Sequence, residues 1–65
     1  MKLGEKYILV DGVTAEHCGV DPERFRLHIR DQQVRPLATS GHNRVVCTDA
    51  AGKIFYIEKK LLTQY

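Results

Sequence analysis

Phe25, Leu27 and Ile29 alternate strictly with Arg24, Arg26, His28 and Arg30. That is the period of a half-buried strand, yet the same residues follow a well-formed helix start. Asp21 suits an N-cap because its carboxylate accepts the free N–H groups of a first turn, and Pro22 suits the next position, where no donor is needed. Glu23 puts negative charge at the positive end of the helix dipole, and Val20 with Phe25 forms a hydrophobic staple. A helix places Phe25 and Ile29 on one face with His28 beside them, Arg26 and Arg30 on a neighbouring face, and Leu27 outside. A strand draws Leu27 into the core. The choice between the two decides the fold.

The chain has 65 residues, 43% of them hydrophobic, enough for one domain and one small core but not for a second lobe with a cleft between. A core of that size contributes only about 3–5 kcal/mol, which argues against a shaped catalytic pocket. Charged residues at 28% and aromatics at 8% fit a folded chain rather than a disordered one. The first apolar run, residues 7–10, is too short for a signal core or a membrane helix, so a cytoplasmic protein is expected. Cys18 and Cys47 are expected as core thiols. His17, Cys18, His28, His42 and Cys47 include the residue types zinc prefers, but no pair has the close spacing of a structural site. No metal, cofactor or catalytic residue is expected.

The remaining elements are read from local signals. Residues 45–48 and 54–57 are β-branched and aromatic runs flanking Asp49, Ala50, Ala51 and Gly52, a hairpin whose Gly52 takes a positive φ. Residues 34–38 carry Pro36 and belong on an edge, followed by a turn over 39–43. Residues 7–10 form a short strand, and 13–18 a short helix entered through Asp11 and ended by Gly19. The order of short helix, tight turn, basic second helix at 22–31 and hairpin is that of an α+β winged helix-turn-helix spanning 1–65.

Net charge is unevenly placed. Residues 1–23 carry −3 and residues 24–65 carry +5, and every arginine lies between Arg24 and Arg44 with Asp31 as the only acid among Arg24, Arg26, Arg30, Arg35 and Arg44. That concentration suits a polyanion. Five arginines on phosphates would give a slope of log K against log salt near −4 to −5.

Ala15, Gly19, Asp21, Pro22, Phe25, Ile29, Arg30, Asp31 and Val34 follow a pattern that resembles the small winged-helix proteins of the MerR-like superfamily. The phage and mobile-element excisionases and the Cox- or AlpA-type regulators are the nearest in kind. The resemblance implies a sequence-specific, DNA-bending protein that binds double-stranded DNA cooperatively or as a homo-oligomer, directs a site-specific recombinase towards excision, or regulates a promoter. It places Glu23, Arg26 and Arg30 on the DNA-facing side of a recognition helix, where arginine forks match guanine edges and Glu23 accepts from cytosine. Arg24 and Arg35 are expected on phosphates, and His42, Asn43 and Arg44 at a wing tip. Leu27 or Leu61 and Leu62 are candidate contacts between copies.

The strand period of 25–30 supports a different fold. Residues 7–10, 25–30, 34–38, 45–48 and 54–57 would then make a five-stranded barrel of the SH3 or OB kind. Such a barrel would bind RNA or single strands, or inhibit a host protein, with Phe55, Tyr56, Lys59 and Lys60 as its stacking and basic groups.

Overall fold

A computed structural model describes all 65 residues. Five strands dominate it: β1 (Tyr7–Leu9), β2 (Arg35–Ser40), β3 (Arg44–Thr48), β4 (Ile54–Glu58) and β5 (Leu62–Gln64). β1 pairs antiparallel with β5, and β2, β3 and β4 form a three-stranded antiparallel sheet in that order. An antiparallel bridge between Tyr7 and Val34, closed by two backbone bonds of 2.8 Å, joins the two sheets. The strands thus run β5, β1, β2, β3, β4 around one core, and a single 3-10 turn (Lys59–Leu61) connects β4 to β5.

The winged helix-turn-helix is not formed. Its helices shrink to α1 (Ala15–Cys18) and α2 (Pro22–Arg24), the latter continuing as a π-helical turn over Phe25–Ile29. Both lie in the connection between β1 and β2, and α1 packs against β4. The expected wing, β3 and β4, is not an appendage, because its inward residues Val45, Cys47, Phe55 and Ile57 are buried and supply much of the core. The structure is a mostly-β fold of five strands in two antiparallel sheets, closer to the all-strand alternative than to the winged helix. Residues 25–30 are not the strand that alternative required, and the fifth strand is β5, paired with β1.

Helix against strand over these residues was settled by the cap. The Arg24 N–H donates to Asp21 Oδ1 at 2.8 Å, with Pro22 at the first helical position. Phe25 and Ile29 then turn inward while Leu27 stands 46% exposed, as helical spacing requires. The helix ends at Ile29 rather than 31: the Arg30 N–H donates to the Phe25 carbonyl at 2.8 Å, Arg30 is extended, and Asp31 adopts φ 59°. Aspartate tolerates that left-handed region better than most residues. α1 starts later than expected, at Ala15 behind a Thr14 cap rather than at Val13 entered through Asp11, because the His17 ring Nδ1 accepts from the Thr14 N–H at 2.9 Å and closes a capping box. Gly19 ends α1 at φ 67° as read from the sequence.

In β2, the strand runs on through Thr39 and Ser40, so the turn shortens to Gly41, His42 and Asn43. Pro36 is buried beside a bulge between Pro36 and Ala38, and its carbonyl accepts from the Gly4 N–H at 2.7 Å. The core gathers Tyr7, Cys18, Phe25, Ile29 and Val34 from the first half with Val45, Cys47, Phe55, Ile57 and Leu62 from the second.

Candidate nucleic-acid interface

Strand alternation decides which side chains the three-stranded sheet presents. With Val45, Cys47, Phe55, Ile57 and Pro36 turned inward, their neighbours form three cross-strand rows on the outer face of the three-stranded sheet. Ala38, Val46 and Tyr56 make the central row. Arg35, Thr48 and Ile54 lie on one side of it, and Ser40, Arg44 and Glu58 on the other. Tyr56 is 45% exposed, Ile54 on the same strand face is exposed beside it, and the bulged Leu37 of β2 is also exposed. An apolar strip with one aromatic ring is thereby left open to solvent between two arginines.

Those arginines are free to act outward. The ion pairs of the molecule are Arg24 with Asp49, Arg26 with Glu23 and Lys60 with Glu58, so neither Arg35 nor Arg44 is neutralised by a carboxylate. Glu58, beside Arg44, is held by Lys60 at 3.4 Å. Charge is segregated as well. In the connection between β1 and β2, Asp11, Glu16, Asp21, Glu23 and Asp31 outnumber Arg24, Arg26 and Arg30 and leave −2. The rest of the chain sets seven lysines and arginines against Glu5, Asp49 and Glu58, a balance of +4.

The structure scatters the residues expected on one DNA surface. Arg24 points inward, with Nε 3.0 Å from Asp49 Oδ2 and a terminal nitrogen donating to the Ile54 carbonyl at 2.8 Å. Arg26 pairs with Glu23 at 3.4 Å, both exposed. Arg26 and Arg30 rim an open groove floored by Val13, Ala15 and Phe25. His42 and Asn43 sit in the β2–β3 turn, where the Asn43 carbonyl accepts the Lys59 N–H at 2.6 Å, and Arg44 begins β3. Only Arg35 and Arg44 of the group reach the outer sheet face.

No protein-family model, curated protein or solved structure matches this chain.

Exposed Leu37, Ile54 and Tyr65, and half-buried Val46, are surface residues that the sequence did not single out. For Tyr56 the signal was present in the alternation of residues 54–58, which turns Phe55 inward at 3% exposure and Tyr56 outward. Phe55 is therefore no stacking group. The two thiols are equally withdrawn from chemistry. Burial pushes Cys18 up to about 11 against the pull of the Arg24 charge, and burial together with neighbouring Cys18 pushes Cys47 up to about 12. No helix is long and apolar enough to cross a membrane.

Proposed function

We propose that this chain is a small β-barrel module that binds single-stranded nucleic acid on the outer face of its three-stranded sheet. The observation that carries the reading is the placement of exposed Tyr56 in the central row, with unpaired Arg35 and Arg44 in the rows on either side. A ring with one open face stacks on any base, and flanking guanidinium groups neutralise the backbone. The positive balance of the barrel outside its helical connection supports the same partner. Single strands are favoured over a duplex because the helical segment, residues 22–29, has Phe25 and Ile29 in the core and Arg24 tied to Asp49.

Fluorescence anisotropy with labelled uridine and thymidine oligonucleotides of about 12 nucleotides tests the reading and separates RNA from DNA. Tyr56→Ala is expected to weaken binding by about 1–3 kcal/mol per base stacked, with circular dichroism unchanged because the ring is on the surface. No binding by the wild-type protein at low salt, or equal binding by Tyr56→Ala, would sink it.

A further inference from the structure

We infer that the single-strand path continues past Arg35 into a second base-binding groove at the junction of the two sheets, with Tyr65 as its stacking platform. This rests on the single-strand reading above.

The strand register carries the inference. Tyr7 is flanked by Gln64 of β5 and by Val34, both antiparallel to it. One step along, Lys6 therefore lies between Tyr65 and Arg35, and the Tyr65 N–H donates to the Lys6 carbonyl at 3.2 Å. Arg35 in turn pairs with Thr48, and Thr48 with Ile54. Tyr65, Lys6, Arg35, Thr48 and Ile54 make a single row across all five strands, about 19 Å along the sheet surface at ~4.8 Å per strand. Because Tyr7 and Val34 are buried, the alternation turns Lys6 and Arg35 outward.

The end of that row is concave. Glu5, Lys6, Arg35, Gln64 and Tyr65 line an open groove of about 370 Å³, and Tyr65 is 72% exposed. Arg35 is the one residue shared by the groove and the outer sheet face. Two exposed tyrosines are thus separated by the unpaired cations Lys6 and Arg35. Bases stacked on Tyr56 and Tyr65 would carry the intervening phosphates over those two charges. Gln64 adds an amide that both donates and accepts, suited to a base edge. Glu5 is the opposing charge in the groove, and it repels any phosphate that passes on its side.

Anisotropy titrations with uridine oligonucleotides from about 2 to about 12 nucleotides test the extension. Tyr65→Ala is expected to weaken the longer oligonucleotides by about 5- to 150-fold and to shorten the length at which affinity levels off. Lys6→Gln should weaken binding and reduce its salt dependence, whereas Glu5→Gln should tighten it. All three residues are on the surface, so the fold is retained. Wild-type affinity and length dependence in Tyr65→Ala and Glu5→Gln, with Tyr56→Ala impaired, would overturn the groove and leave the sheet site standing. Failure of the wild-type protein to bind any of these oligonucleotides would overturn the underlying reading instead.

Discussion

Arg24 and Asp49, 25 positions apart in the chain, meet at 3.0 Å and fasten the helical connection to the β3–β4 hairpin. The Asp49 side chain has no exposed surface. Its Oδ2 takes the Arg24 guanidinium, while Oδ1 accepts the N–H groups of Ala51 at 2.9 Å and Lys53 at 3.0 Å and so shapes the hairpin loop. The Ala50 N–H donates to the His28 carbonyl at 3.0 Å, a further tie between the same two parts.

Removing the carboxylate leaves the Arg24 Nε–H and two backbone donors without an acceptor, though Arg24 keeps its bond to the Ile54 carbonyl. Asp49→Ala is expected to lower stability by about 3 kcal/mol, the lower end for breaking a buried pair, because Arg24 is partly exposed. Arg24→Ala should cost less, about 1.5–3 kcal/mol, because the loop donors keep their acceptor. Urea denaturation of the two single variants and the double variant checks both values, with the double losing less than the sum of the singles.

The same group sets the acid limit. Burial opposes ionisation of Asp49, but the Lys53 N–H, the Arg24 guanidinium and the Ala51 N–H outweigh it and hold the carboxyl below its ordinary 3.8. The unfolded chain therefore binds the proton first, and the stabilisation is fully present above pH 3.8 and lost as pH falls through the lower folded value. Thermal melts between neutral pH and pH 2 should show a steep acid loss that Asp49→Asn flattens.

The thiols set an alkaline limit. Cys18 is raised from 9.0 to about 11 and Cys47 from 9.0 to about 12, so both stay protonated when folded while the unfolded chain ionises near pH 9. Their contribution is complete below pH 9 and is lost as pH rises towards the folded values. A thiol-reactive chromophore at pH 8 should label neither cysteine in the native protein and both in urea. Rapid native labelling would contradict their burial.

Leu27 and Ile29 separate the two periods of their segment by energy. Ile29 is fully buried and Leu27 is 46% exposed. Ile29→Ala is expected to cost about 2–5 kcal/mol and Leu27→Ala less than about 0.5 kcal/mol, measured by denaturant unfolding. Comparable losses would mean that Leu27 packs as a strand residue would.

Salt dependence distinguishes the outer-sheet site from a surface made of all five arginines. Two phosphate contacts, from Arg35 and Arg44, give a slope of log K against log salt of about −1.4, and Lys6 brings it to about −2.1. A slope near −4 would require Arg24, Arg26 and Arg30 as well. Of these, Arg24 and Arg26 are already paired with Asp49 and Glu23.

The site was only partly legible. Arg35 and Arg44 stood out as cations in the sequence, but nothing local distinguished them from Arg24, whose partner Asp49 lies on another element. Tyr56 and Phe55 are adjacent aromatics, and the alternation of residues 54–58, with Glu58 on the Tyr56 side, separates the open ring from the buried one. Tyr65 carried no signal, since its neighbours Lys6 and Arg35 come from distant parts of the chain.

Local chemistry was written plainly in the chain. The Asp21 cap with Pro22, the left-handed Gly19 and the hairpin turning at Gly52, φ 82°, all follow from groups within a few residues of one another, whereas the side taken by Leu27 did not. What those pieces assemble into was decided elsewhere. The helix start is the same whether the segment reads a groove or covers a sheet, because capping bonds say nothing about which surface the apolar face will meet. The pairing of β1 with β5, the Tyr7–Val34 bridge and the Arg24–Asp49 contact join residues remote in sequence. Only by burying one shared core could they turn a capped helix and a hairpin into a five-stranded fold with an open outer face.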